Sequence, residues 1–256
     1  MTPAAMLERS QWDGFWLPPD VTVVDRPELL LRTCPRPAPH LNAVVRTRAD
    51  GTNAAALVAE VEGHFRGRRG RWMLPDTFDS VVLIGALAGA GWRENEHYEV
   101  RALPVEEWHR SARVVAAPVD SMARLRDAVR VGNAAFGRVE TSTDAELAQD
   151  LRACVEGGRV HRFVAYDADG AAMATGGLTA FADLGFGLLW GGGALPNARG
   201  KGAYSAVLGA RIERAKALGL TTVGLYAKRE TSAPIVARMG FRAAGEMRDW
   251  ERDIPA

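Results

Sequence analysis

Apolar and polar positions along this chain alternate between short strand-like and longer helix-like periods. Over 203–218 the apolar residues Val207, Leu208, Ile212, Ala215 and Leu218 recur at helical spacing, while Ser205, Arg211, Glu213, Arg214 and Lys216 fall on the other side. The pattern predicts an amphipathic helix with a solvated polar face and Gly219 as its stop. Before it, "FGLLWGGGAL" over 186–195 predicts a strand that ends in glycines. After it, "LTTVGLYA" predicts a strand over 220–227, and "SAPIVARM" a short helix capped by Ser232 with Pro234 in its first turn. "GFRAAGEMRDWERDI" closes with strand-like segments. Upstream, "RVVAAP" over 113–118 predicts a strand, and "DSMARLRDAVRVGNAAFG" and "STDAELAQDLRACVEGG" predict two helices. "HRFVAYDADGAAMATGGLTAF" predicts a hairpin turning at Asp167, Ala168, Asp169 and Gly170.

The earlier part of the chain repeats this order. "LNAVVRT", "NAAALVAEVEGHF", "GRWMLP", "DTFDSVVLIGALAGA" and "EHYEVRAL" read as strand, helix, strand, helix, strand. A shift of 149 positions lays Gly51 on Gly200, Gly70 on Gly219 and Gly91 on Gly240, with no gap. "GWR" then falls on "GFR". Matching glycines and matching element order together predict an internal repeat. Two related units are expected, a degenerate half domain over 1–110 and a complete domain over 111–256. The expected class is α/β, with a mixed, mostly antiparallel twisted sheet flanked by helices.

Composition narrows the picture. The chain has 256 residues, is 47% hydrophobic and 25% charged, and carries a net charge of +1, so a globular protein with a real core is expected. That charge balance argues against nucleic acid as a partner. The apolar run over 81–92 is too short for a bilayer, so no membrane partner is expected. The first residues lack a basic segment followed by a long apolar one, so no signal peptide is expected and a cytoplasmic location is the default. Two cysteines, Cys34 and Cys154, and five scattered histidines have no metal-ligand spacing, so no metal is expected.

The candidate chemistry lies in "ALPNARGKGAY", residues 194–204. A glycine-rich strand end leads through Arg199, Gly200, Lys201 and Gly202 into a helix. The first amides of a helix have no intrahelical partner and carry partial positive charge, so this junction suits an anion such as a pyrophosphate. A Gly-rich turn with two solvated cations is the plainer alternative. The P-loop pattern fails, because Leu195 stands where its first glycine belongs and Gly202 follows Gly200–Lys201. The dinucleotide pattern G-x-G-x-x-G fails at Ser205. In the earlier copy, Asp50, Thr52 and Asn53 replace Arg199, Lys201 and Gly202, so the site is expected once.

The stretch "GGGALPNARGKGAYSAVLGARIERAKALGLTTVGLYA" followed by "SAPIVARMGF" resembles the GNAT acyltransferase superfamily, whose signature is [Q/R]-x-x-G-x-[G/A] at the start of a helix. A later Gly-Phe pair, here Gly240–Phe241, belongs to the resemblance. It covers about 111–256 in element order and is specific over about 186–242, and residues 1–110 resemble a degenerate half of the same fold. The resemblance implies acetyl-CoA or another acyl-CoA as co-substrate and an amine of a small molecule or peptide as acceptor. It places the pantetheine arm against Gly192, Gly193 and Ala194, at a bulge that splays this strand from the next. It places the pyrophosphate on Arg199, Gly200, Lys201, Gly202, Ala203 and Tyr204. Two positions depart from the family. Tyr204 stands where Gly or Ala is usual, and Val236 stands where many members carry a tyrosine that protonates the leaving thiolate. Tyr226, or less directly Ser232, is a candidate replacement; each also reads as a structural residue, a packed strand tyrosine and a helix cap. Trp12, Phe15 and Trp16 fall at helical spacing and read as core or as an acceptor pocket between the halves; Trp190 is open to the same two readings. A non-catalytic acyl-CoA-binding protein is the alternative function, and a homodimer is left open.

Overall fold

The structure is a computed structural model that describes residues 1–48, 53–78, 81–109, 114–139 and 142–256. In chain order the elements are α1 (Pro3–Ser10), β1 (Thr22–Arg26), β2 (Leu29–Thr33), β3 (Ala43–Thr47), α2 (Ala54–His64), β4 (Arg69–Pro75), α3 (Val81–Gly89), β5 (Arg93–Pro104), β6 (Ala116–Pro118), α4 (Met122–Phe136), α5 (Asp144–Val155), β7 (Val160–Tyr166), β8 (Ala172–Phe181), β9 (Phe186–Ala194), α6 (Ala203–Ala217), β10 (Thr222–Lys228), α7 (Ser232–Arg238) and β11 (Arg242–Asp253). The chain divides into two compact units: Met1–Arg101 with Tyr226–Ala256, and Ala102–Leu225. The boundary expected at 110 and 111 falls outside the described residues.

The first unit is built on strands in the order β1-β2-β3-β4-β11-β5. β11 pairs antiparallel with β4, with Trp250 opposite Trp72, and β3 pairs parallel with β4. Strand alternation sends Leu29, Leu31, Val44, Trp72, Leu74 and Trp250 to one face, where α2 and α3 cover them. Trp72 and Trp92 meet edge to face at 5.8 Å in this core, and their indole N–H groups donate to Thr47 and Glu62. The other face carries Leu30, Ala43, Val45, Met73 and Met247, with Trp12, Tyr98 and Tyr226 packed on it.

The second unit follows the order β10-β9-β8-β7-β6, parallel only between β9 and β10. Phe163 and Ala165 pack under α6, while Val164 and Ala172 pack under α4 and α5. The β7–β8 hairpin turns where the sequence predicts, with Asp167 Oδ1 accepting from the Asp169 and Ala171 amides at 3.1 and 2.8 Å. Both units have the mixed, mostly antiparallel character expected.

Four expectations need correcting. Arg211 does not join the solvated face of α6; it is 2% exposed, because its guanidinium finds carbonyl partners beneath the sheet. Ser232 does not cap α7: Thr231 holds that position, and Ser232 donates its hydroxyl to the Lys228 carbonyl. Trp12, Phe15 and Trp16 lie beyond the end of α1 and not on a helix. The strand expected over 113–118 begins at Ala116, with Arg113 outside the described residues.

The 149-residue shift carries Ala54, the first residue of α2, onto Ala203, the first of α6, and both ends of β5 onto both ends of β11. Gly91 and Gly240 share left-handed backbones. Gly70 and Gly219 do not correspond in role, since Gly70 lies in a strand against Phe65 and Trp92. The matched loop residues Asp50, Gly51 and Thr52 lie outside the described residues.

Candidate functional site: a glycine bulge leading into a helix start

β9 carries one residue too many for its neighbour. Thr175 of β8 stands opposite Gly193, and Gly177 opposite Trp190, so Gly191 and Gly192 share the single partner position of Gly176. Gly191 supplies the left-handed backbone (φ 58°) that this kind of bulge requires. The parallel ladder with β10 covers Phe186–Leu188 and ends there, two residues short of the bulge. Past that point the other edge of β9 is released from this ladder. Side chains are not tolerated here. A Cβ on Gly193 would stand 2.7 Å from that of Ala135, and one on Gly192 3.2 Å from the Arg211 guanidinium.

The chain then turns through Pro196–Ala198 and reaches α6 by way of Gly202, which caps the helix at φ 85° with no side-chain bond. The first intrahelical bond runs from the Ala206 amide to the Gly202 carbonyl at 3.0 Å. The amides of Ala203, Tyr204 and Ser205 therefore stand outside the helical ladder, where the helix dipole is positive. Arg199, Gly200, Lys201 and Gly202 are exposed around them.

Tyr204 and Arg211 explain each other. The Arg211 guanidinium donates to the Gly177 and Trp190 carbonyls at 3.3 and 3.4 Å, and both it and the Tyr204 ring lie against Gly192. Burial pulls the Arg211 pKa down, and Tyr204 opposes that. The tyrosine that departs from the family pattern thus lies beside a buried cation at the bulge. Arg211 is the residue the helical pattern misplaces, and the missing Cβ atoms at Gly176 and Gly192, which would stand 2.9 and 3.2 Å from its guanidinium, signal it. Trp190 lies flat over Gly177, bonds Thr179 through its indole N–H at 2.9 Å and carries Arg162 at 5.4 Å. It is a packed residue of the sheet.

Gly192, Gly193, Ala194 and Arg199 through Tyr204 are thus brought together in the second unit. Tyr226, Ser232 and Val236 belong to the first. Tyr226 packs against Tyr98 at 6.2 Å, and burial drives its phenol pKa up. Val236 is fully buried core. Among the described residues, no helix is long and apolar enough to cross a membrane, and no cluster of three or more His, Cys, Asp or Glu could hold a metal.

No protein-family model and no curated protein matches the sequence. Solved structures do match. A GCN5-related N-acetyltransferase from Kribbella flavida superposes with a TM-score of 0.75 at 19% identity, over 98% of this chain and 96% of its own. One from Sphaerobacter thermophilus gives 0.66 at 16% identity, over 91% and 83% of the two chains. A tandem GNAT protein from the clavulanic acid biosynthesis pathway gives 0.64 at 14% identity, over 98% and 88%. At such identities the likeness is one of architecture, and the chain has the fold of the GCN5-related N-acetyltransferases.

Proposed function

We propose that the chain is an acyl-CoA-dependent N-acyltransferase that moves an acetyl group from acetyl-CoA to an amine of a small molecule or peptide by direct attack. The observation that carries this reading is the glycine bulge of β9 running directly into the exposed helix start of α6. The residues present fit such a co-substrate. Backbone at Gly192, Gly193 and Ala194 would pair with the pantetheine arm. The amides of Ala203 and Tyr204, with the charges of Arg199 and Lys201, would hold the pyrophosphate. Bound there, the co-substrate supplies a thioester carbonyl open to nucleophilic attack. The amide of Ala194 would donate to the oxygen as charge develops on it, an effect that is often the largest in acyl transfer. Arg211 would keep the bulge in shape from behind. The two units are read as copies of one ancestral arrangement, with the binding loop retained only in the second. Two unpaired cysteines, Cys34 and Cys154, accord with a cytoplasmic location.

The burial of Val236 favours a second reading, a non-catalytic acyl-CoA-binding protein. General acid help is worth about 10²–10⁴-fold, so its loss slows turnover without abolishing it. The test is free-thiol release from acetyl-CoA with a panel of amines, read beside mass analysis of the amine. The enzyme reading predicts one thiol per acetylated amine for some member. Binding with no release across a broad panel would establish the second reading instead.

A further inference from the structure

The sheet face of the first unit that α2 and α3 leave uncovered buries an arginine without a counter-ion. Arg32 of β2 is 6% exposed, and its Nε is fully buried with no hydrogen-bond partner. Among the described residues no carboxylate or carbonyl pairs with its guanidinium. It rests only on the ring of Trp16, at 4.7 Å. The neighbouring guanidinium of this face, Arg71, is half-buried and already committed to Asp249 at 2.5 Å. Asp249 thus serves Arg71 and leaves Arg32 without a counter-ion. The other acids on this side are occupied. Glu8 is held by Arg48 at 2.6 Å and Thr77 at 2.7 Å, Asp76 accepts from the Glu246 amide, and Glu251 faces Arg69 at 3.8 Å. Burial and Arg71 together pull the Arg32 pKa down to about 10, as expected of a cation held without a partner.

A buried charge that is neither paired nor hydrogen-bonded is costly, and protein interiors rarely keep one. We propose that this face is a binding site for a small monocarboxylate with an apolar or aromatic body, received by the Arg32 guanidinium. The charge count favours a carboxylate: one anion balances the one excess cation, whereas a phosphate dianion would leave a net negative charge buried. The surroundings favour an apolar body. The Trp16 ring already lies on the Arg32 guanidinium, and Leu30 of the same strand turns to this face. The indole N–H of Trp12, packed on the same face, is also buried and unpartnered. The inference does not depend on acyl transfer, since every residue in it belongs to the first unit.

The test is calorimetric titration of the full chain with benzoate and phenylacetate, beside benzyl alcohol and inorganic phosphate. Saturable one-site binding of at least one carboxylate is expected, with none for benzyl alcohol and phosphate at least tenfold weaker. Arg32→Met should weaken the carboxylate at least about tenfold. The same variant should melt about 2–4 °C higher without ligand, because it removes an unpaired buried charge. Absence of carboxylate binding to the unaltered chain up to about 10 mM would overturn the proposal. So would phosphate binding as tightly as the carboxylates, equal binding by Arg32→Met, or a lower ligand-free Tm for that variant, which would make Arg32 a structural cation.

Discussion

Arg32 and Arg211 are both almost wholly buried, and their surroundings give them opposite energetics. Arg32 has an aromatic face and no oxygen, so the folded state bears most of the cost of its charge. Arg211 donates to Val207, Gly177 and Trp190 carbonyls, so its removal leaves several buried acceptors without donors. Arg211→Met should therefore cost about 1–3 kcal/mol, seen as a lower denaturant midpoint, while Arg32→Met should not lower it. If both variants shift the midpoint alike, the contrast drawn here fails. Gly177 offers a second test at this scale. An added Cβ would stand 2.3 Å from the Trp190 ring, backed by a sheet that cannot retreat. Gly177→Ala should destabilise by about 1–3 kcal/mol. Neither residue was legible in the sequence. Helical spacing puts Arg211 among the polar positions of α6, and nothing local announces that β8 and the bulged β9 turn carbonyls toward it.

At the scale of elements, the sequence was most legible where periodicity and end signals agree. α5 is the clearest case. Thr143 accepts from the Glu146 amide, while the Glu146 carboxylate reaches back to the Thr143 amide at 2.7 Å. Thr143→Ala should cost about 1 kcal/mol and lower the helix contribution to the far-ultraviolet dichroism on heating; an unchanged melt would show the cap to be idle. The bulge of β9 was legible too, because three successive glycines in a strand have few other uses. The hairpin of β1 and β2 was not. β1 is an exposed edge whose residues show no inward and outward alternation, so its apolar pattern carries no period to read. Ser232 misled for a related reason: a serine beside a helix start has the composition of a cap, but its hydroxyl turns back to Lys228.

On the scale of the whole molecule, the order of strands and helices could be read through most of the chain, whereas its division could not. The return of Tyr226–Ala256 to the first unit depends on β11 pairing with β4, a contact between segments as far apart in the chain as Arg69 and Asp253. Stability at high pH follows from the same unit. Burial holds the Tyr98 phenol at about 12, above its ordinary 10.0, so the unfolded chain loses that proton first. The contribution is full below pH 10 and is lost as pH rises toward 12. Arg32, held near 10, acts in the opposite direction and is unchanged by Tyr98→Phe. That variant should show a shallower fall in Tm between pH 10 and 12 than the parent; an equally steep fall would clear the phenol of any part in it. The central claim, one acyl-CoA site at the start of α6, is tested most directly by calorimetric titration with acetyl-CoA. The parent chain and Asn53→Asp should bind one equivalent with the same affinity. Gly202→Asp, which forces a side chain onto a left-handed backbone and sets an anion among the first amides of α6, should lose binding at least about a hundredfold. Equal binding by all three, or no binding by the parent, would contradict the account.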